Sequence, residues 1–184
     1  DSVTSRRGAL LFPVEDRDAV GRALSFSREQ ELPTLVWGGP EIHRAVDELS
    51  STHTGVLLRV DWGDEPKLEP TPPSGEKSPD DPPVIPDPLR VRQRRIEQWR
   101  ERASALKVLN ARKIRCALSG EGLKDPADIS KAVRQMIQAG CSRQSVLAAL
   151  TQDAAQLLGQ EKRLGTLEPG KLAHIAVWTG PFDH

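Results

Sequence analysis

Short apolar runs alternate with amphipathic stretches along the first third of the chain. The runs at residues 8–13, 33–39 and 54–60 predict buried β-strands, because each is bounded by turn-forming or polar residues. Residues 14–30 and 40–51 lie between them and predict helices from the spacing of their apolar positions. Apolar strands that alternate with helices are typical of parallel βα units. This part of the chain therefore predicts an α/β fold with a parallel sheet.

The alternation stops at residues 61–88, which hold nine of the fifteen prolines, eight acidic residues and two lysines. Proline removes a backbone donor and fixes φ, and a strongly charged segment has little apolar surface to bury. We expect a long, proline-rich, acidic loop on the surface. A loop of this length inside a domain is often functional.

Residues 89–110 return to helical spacing, with many basic residues. One apolar stripe contains Leu89, Ile96, Trp99, Ala103 and Leu106. Six arginines lie on the other faces and have two interpretations: a nucleic-acid contact, or a solvated face that pairs with the preceding acidic loop. The zero net charge of the chain, with 26 basic and 26 acidic residues, favours the second interpretation. We expect no nucleic-acid partner.

The last part of the chain predicts one more buried strand, three helices and a terminal strand. Residues 113–119 are the buried strand, and residues 125–140 form the first helix. Ser142 and Thr151 are expected to cap two further short helices. After a glycine-rich turn, the apolar run at residues 172–178 predicts the terminal strand.

Composition argues against several classes of protein. No apolar stretch approaches the ~20 residues that cross a bilayer, so no membrane association is expected. Cys116 and Cys141 form no CxxC pair and predict buried free thiols rather than disulfides or a zinc knuckle. The glycine spacing of a dinucleotide site and the G-x-S-x-G motif of a serine nucleophile are both missing. The first residue is not methionine, and we expect the chain to be a piece of a longer protein.

The segment "VLAALTQDAAQLLGQEKRLGTLEPGKLAHIAVWTG" combines a helix pattern with glycine turns. It resembles the C-terminal signature of the amidohydrolase superfamily, in which A-x-T-x-x-x-A-x-x-L-G is followed by G-x-L-x-x-G-x-x-A-D-x-x-V. His174 stands where the family commonly has an aspartate that is not a metal ligand. The upstream βα units and the long loop are similar to the imidazolonepropionase-like branch. The matching residues are Ala148 or Ala149, Thr151, Ala155, Leu158, Gly159, Gly165, Leu167, Gly170, Ala173 and Val177.

This resemblance implies a fold and a partner. Residues 1–160 would form the C-terminal half of a (β/α)8 TIM-type barrel that carries the acidic loop at 61–88. Residues 161–184 would begin the companion β-sandwich, with the run at 172–178 as one of its strands. The remaining N-terminal half of the same protein is then the expected partner.

The resemblance also implies a chemistry, which is metal-dependent hydrolysis of C–N bonds in cyclic amides or similar small molecules. In this family one or two divalent metals, zinc among them, lie at the carboxyl ends of the barrel strands. The ligands are an HxH pair on the first strand, often a carboxylated lysine, single histidines on two middle strands and an aspartate on the last.

The expected ligand positions in this chain carry the wrong residues. The two histidine positions fall on Pro13 or Val14 and on Gly38 or Gly39, and the aspartate position falls on Glu121. We expect Glu121 to be the catalytic candidate, no metal-binding residue in this stretch, and therefore a degenerate metal site. The four histidines do not follow predicted barrel strands and are expected to be surface or packing residues: His43, His53, His174 and His184.

Two function classes remain open from the sequence. One is an amidohydrolase whose working metal centre is supplied by another part of a longer protein. The other is a non-catalytic domain that binds a small-molecule ligand or serves as a scaffold, since a fold does not carry function by itself. Stoichiometric metal in the full-length protein would favour the enzyme, and its absence would favour binding.

Overall fold

The computed structural model describes residues 9–69 and 87–183. These residues form four strands, seven α-helices and one short 3-10 turn. In chain order the elements are β1 (Leu10–Val14), α1 (Arg17–Glu29), β2 (Thr34–Gly38), the 3-10 turn (Ile42–Arg44), α2 (Val46–Thr52), β3 (Gly55–Arg59), α3 (Leu89–Ala103), α4 (Ala105–Ala111), β4 (Cys116–Ser119), α5 (Asp128–Gln138), α6 (Arg143–Leu150) and α7 (Gln152–Leu157).

The four strands form one parallel sheet in the order β1-β2-β3-β4. The register aligns Val14 with Gly38, Gly38 with Leu58, and Leu58 with Leu118. Because all strands run the same way, their carboxyl ends meet at one edge of the sheet. The predicted parallel α/β architecture is confirmed, and four consecutive βα units are consistent with part of a TIM barrel.

One face of the sheet is buried under the helices. Side chains alternate between the two faces of a strand, and the buried face is formed by apolar residues of all four strands. They pack against apolar side chains from α1, α2, α4, α5 and α6. The strand residues of this core are Val14, Val36, Val56, Leu58 and Cys116, and helix residues in contact with it include Val20, Leu49, Leu106, Met136 and Val146.

The opposite face is apolar but only partly covered by the described residues. Leu35, Trp37 and Leu57 are half-buried there, and Leu11 is 48% exposed. At the amino end of β3, α7 packs closely against this face. A Cβ placed on Gly55 would lie only 2.2 Å from Leu157 Cδ2. We name Leu11, Leu35, Trp37 and Leu57 the open face.

Two predicted helices are divided in the structure. Residues 89–110 form α3 and α4 with a break at Ser104, whose φ of −96° and ψ of 5° leave the helical region. Residues 40–51 form the 3-10 turn and α2. The turn places Ile42 against Gly38, where a Cβ would lie 2.8 Å from Ile42 Cγ1. Tertiary packing of this kind can interrupt a helix. The spacing of apolar residues predicts only which side of a helix is buried, and not where the helix breaks.

Both predicted residues stand at N-cap positions, Ser142 before α6 and Thr151 before α7, but only Ser142 caps its helix with its side chain. Ser142 Oγ accepts a hydrogen bond from the Ser145 amide at 3.0 Å, as an N-cap does. The Thr151 hydroxyl instead donates to the Leu147 carbonyl at 2.7 Å, one turn back along α6. Threonine often bonds backward in this way where one helix ends. Cys116 and Cys141 are buried free thiols, as expected.

The predicted terminal strand at residues 172–178 is not observed. These residues form neither helix nor strand, and Leu172, Ile175, Val177 and Trp178 are exposed. A strand requires a neighbouring strand to receive its backbone hydrogen bonds. Leu172 N donates to the Arg163 carbonyl at 2.9 Å, but no described strand pairs with this run. The companion β-sandwich is therefore not shown.

The predicted loop at 61–88 is described only at its ends. Residues 61–69 and 87–88 have no helix or strand, and residues 70–86 lie outside the described part of the chain. Among the helices that are described, none has the length and apolar character needed to cross a membrane.

Candidate functional site at the carboxyl edge of the sheet

Charged side chains meet where the parallel strands end. Glu15 directly follows β1, Arg59 is the last residue of β3, and Asp61 lies two residues further on. Arg59 Nη1 donates to Glu15 Oε1 at 2.6 Å, and Nη2 donates to Asp61 Oδ2. One guanidinium thus connects the ends of two strands that are not neighbours in the sheet. We name Glu15, Arg59 and Asp61 the arginine clamp.

The clamp holds Arg59 in its charged form. The hydrogen bond to Asp61, followed by the charges of Asp61 and Glu15, raises the pKa of the Arg59 guanidinium, while partial burial opposes the increase. The Arg59 side chain is 23% exposed, and its Nε is buried without a hydrogen-bond partner. The two carboxylates therefore fix a partly buried cation at this edge.

Two glycines allow the backbone to approach the clamp. A Cβ on Gly39 would lie 2.7 Å from the Val14 carbonyl oxygen and 2.8 Å from Glu15 Cα. Both are backbone atoms, so a side chain here would force the ends of β1 and β2 apart. Gly122 has a φ of +86°, and a Cβ there would lie 2.5 Å from Asp61 Oδ2. The close approach at Gly39 and the left-handed backbone at Gly122 both favour glycine.

A small pocket of about 130 Å3 lies beside the clamp. Its apolar part is formed by Ile42, Leu58 and Ala105, which are almost fully buried. Its polar rim contains the clamp and Arg102, which comes from α3, together with the indole of Trp62, whose Nε1 donates to Gln135 Oε1 at 2.9 Å. Gly39 and Pro40 complete the lining.

The amidohydrolase family model matches residues 99–183 of this chain. Over these residues, a little under half of the chain, the sequence is similar to the amidohydrolase family. This statement agrees with the helix and glycine-turn signature at residues 146–180, which lies entirely inside the matched region.

Two solved structures share the fold of this chain at low sequence identity. An amidohydrolase from Thermotoga maritima MSB8 superposes with a TM-score of 0.74 at 19% identity, covering 99% of this chain and 41% of that one. An uncharacterized protein superposes with a TM-score of 0.62 at 13% identity, covering 94% of this chain and 39% of that one. No curated protein gives a significant match. The chain thus spans about two fifths of the length of these structures.

Glu121, the catalytic candidate from the amidohydrolase resemblance, makes no hydrogen bond or ion pair with the clamp, although the next residue, Gly122, closely approaches Asp61. It is exposed in the turn after β4, and its backbone amide donates to Ser119 Oγ at 3.4 Å. It does not line the small pocket. The sequence pattern did not single out Glu15, Arg59 or Asp61. Their positions at or just after predicted strands could have indicated them, because parallel strands bring charged residues at their carboxyl ends to a common edge.

The described residues do not fit the divalent metal of an amidohydrolase. Val14, Gly38 and Gly39 offer no side-chain donor at the expected histidine positions. Two carboxylates at this edge, those of Glu15 and Asp61, already bind a guanidinium, whose positive charge repels a metal ion. Within residues 9–69 and 87–183 no group of three potential ligands lies close enough together to hold a metal.

None of the described histidines lines the pocket at the carboxyl edge of the sheet. His43 is in the 3-10 turn with its side chain 11% exposed, 3.4 Å from Glu101 Oε2, and neither ring nitrogen makes a hydrogen bond. His53 ends α2 with a φ of +53°, and His174 is exposed in the terminal run. Burial lowers the pKa of the His43 imidazole. His184 lies outside the described residues.

The arginine-rich face of α3 contacts the described ends of the acidic loop. Arg95 pairs with Asp87 at 2.5 Å, and Arg100 pairs with Glu65 at 3.0 Å. Arg92 donates to the Leu68 carbonyl at 2.5 Å. Three of the six arginines therefore have partners in the loop, as the second interpretation of this face required.

Proposed function

We propose that this chain forms the C-terminal half of a (β/α)8 barrel in an amidohydrolase-related protein of the imidazolonepropionase-like branch. The ancestral chemistry of such a protein is metal-dependent hydrolysis of C–N bonds in cyclic amides or similar small molecules. The observation that carries the proposal is the open face, which presents apolar side chains on the side of the sheet away from the helices. In a closed barrel the interior is filled by side chains from all eight strands.

The partner in this proposal is the remaining N-terminal half of the same protein. Its strands would pair with the outer edges of β1 and β4, which have no strand partner among the described residues. Its interior side chains would then cover Leu11, Trp37 and Leu57. An unpaired edge and an uncovered apolar face are both unfavourable in water, so we expect the half barrel to be less stable alone than in the full-length protein.

Residues 161–184 have their own place in this proposal, as the start of the companion β-sandwich. The exposed apolar run at 172–178 has the composition of a strand and becomes one when neighbouring strands are present. Nucleic acid and membranes are not among the proposed partners. The chain has no net charge, and the arginines that pair with the acidic loop are partly neutralised.

For the chemistry, we propose that the metal site is degenerate in this stretch. If the full-length protein hydrolyses a C–N bond, zinc or another divalent metal would supply the activated water, and its ligands would come from outside the described residues. Glu121 remains a candidate general base only because it follows β4, where the family resemblance places an aspartate. A lone exposed carboxylate is not enough to hold a metal.

A second candidate function is a non-catalytic domain that binds a small-molecule ligand or serves as a scaffold. The arginine clamp favours it, because the carboxylates at the edge of the sheet are engaged with Arg59 and still leave a pocket beside them. Concave sites at this edge are the usual ligand sites of such folds.

Metal analysis of the full-length protein separates the two functions. Stoichiometric zinc or another divalent metal, lost with a chelator together with hydrolysis of amides, would support the enzyme. Glu121→Gln should then lower kcat with little change in bound metal, whereas Glu161→Gln, an exposed control, should change neither. A protein that binds no metal and hydrolyses no amide would support the binding domain.

A further inference from the structure

The pocket beside the arginine clamp contains charged groups of both signs that still have free hydrogen-bonding capacity. Arg102 lines it, and its side chain makes no hydrogen bond or ion pair with any described residue. Glu15 Oε1 accepts from Arg59, whereas Glu15 Oε2 accepts no hydrogen bond from the described residues. The pocket thus offers an unpaired guanidinium and an available carboxylate oxygen.

The charges of the pocket cancel when it is taken as a whole. Glu15 and Asp61 contribute two negative charges, and Arg59 and Arg102 contribute two positive charges. A ligand with a single charge would be attracted by one side of the rim and repelled by the other. A ligand that carries both charges gains from each side, because a guanidinium binds carboxylates and a carboxylate binds ammonium groups.

The volume and the apolar lining of the pocket determine which uncharged group the ligand can carry. Ile42, Leu58 and Ala105 form an apolar floor, and the volume is about 130 Å3. Cavities of about 150 Å3 take up molecules of the size of benzene. A small apolar group therefore fits below the charged rim.

We propose that this pocket binds a small zwitterionic α-amino acid with an apolar side chain. Arg102 receives the carboxylate, Glu15 receives the ammonium group, and the side chain contacts Ile42 and Leu58. The proposal rests on the ligand-binding alternative above and gives that site its ligand class. It requires neither a metal nor a hydrolytic step.

The test compares three probes by calorimetric titration of the protein with whatever segments flank residues 1–184. L-valine has both charges, 3-methylbutanoate lacks the ammonium group, and 2-methylpropylamine lacks the carboxylate. Valine should bind at least about tenfold more tightly than either analogue, since each loses one charge-assisted contact. Quenching of Trp62 fluorescence, lost in Trp62→Phe, should report the same binding at the pocket.

Two variants with matched controls assign the charges. Arg102→Gln should weaken valine binding at least about tenfold and leave 2-methylpropylamine unchanged, while Glu15→Gln should weaken valine and leave 3-methylbutanoate unchanged. Arg94→Gln removes an exposed arginine of the same helix, and Glu161→Gln removes a distant carboxylate; neither should matter. Equal binding of all three probes, no binding of valine, or no effect of Arg102→Gln would overturn the proposal.

Metal content keeps this result separate from the proposed function. Stoichiometric metal without valine binding would refute amino-acid binding at the pocket and would still support the enzyme function. Valine binding without metal would support the pocket and the non-catalytic domain together. Valine binding in a metal-containing enzyme would support amino-acid binding at the pocket and would exclude only the non-catalytic function.

Discussion

Replacing Leu11 by lysine distinguishes a half barrel from a sheet that is complete by itself. Leu11 lies on the open face and is 48% exposed. Leu147 on α6 is 45% exposed and provides a control of the same residue type on a helix. In residues 1–184 alone the two positions present nearly the same exposed surface to water. In a closed barrel only Leu11 is covered further.

The expected magnitudes follow from this burial. A fully buried leucine side chain contributes about 1.5–3 kcal/mol, so a half-buried one contributes roughly 1 kcal/mol. Leu11→Lys and Leu147→Lys should each lower the free energy of unfolding of residues 1–184 by about that amount. In the full-length protein Leu11→Lys places an unpaired ammonium in the barrel interior, which costs several kcal/mol. Leu147→Lys should still cost only about 1 kcal/mol.

The assay is urea unfolding of both variants in two forms, the 184-residue chain and the full-length protein, followed by circular dichroism. The midpoint and the m-value together give the free energy of unfolding, and a constant m-value shows that the unfolded state is unchanged. The half barrel requires the two variants to diverge in the full-length protein only. Equal losses there would show that nothing covers the open face, and the barrel interpretation would be wrong.

Three further changes test the packing around the candidate site. Gly39→Ala should cost about 1–3 kcal/mol of unfolding free energy, because its Cβ would meet backbone atoms of Val14 and Glu15; an unchanged thermal midpoint would contradict this. Met136→Ala should cost about 2–5 kcal/mol, since Met136 is fully buried in the core, and a loss below 1 kcal/mol in urea would argue against that core. The pKa of His43 is lowered by burial, so folding stability should fall as the pH drops below its unfolded value of about 6.5. His43→Gln should remove part of that fall, and a pH profile identical to wild type would exclude His43 as its source.

The strands could be predicted because their apolar runs are continuous. A strand buried on one face and half-covered on the other has few polar positions, and the runs that end in Val14, Gly38 and Arg59 show this. The run at residues 172–178 has the same composition and is not a strand. The composition of a run indicates that it can form a strand. The strand forms only beside a neighbouring strand, which the described residues do not provide for this run.

The site was harder to predict than the fold, because its residues were sought at positions taken from a resemblance. That search led to Glu121, an exposed residue in a turn. Glu15 and Asp61 lie 46 positions apart in the sequence and meet only through Arg59. Their meeting depends on the register between β1, β2 and β3, which a sequence pattern does not give.

The arginine clamp limits how a metal centre could be assembled at this edge. Glu15 and Asp61 carry two negative charges, and Arg59 offsets one of them while its Nε is already buried without a partner. A divalent cation that took both carboxylates as ligands would displace the guanidinium and leave more of its donors unsatisfied, at about 1–3 kcal/mol for each buried donor. The same cation would then lie close to Arg59 and Arg102, at a distance where like charges repel. We therefore expect any metal centre in the full-length protein to take its ligands from residues other than Glu15 and Asp61.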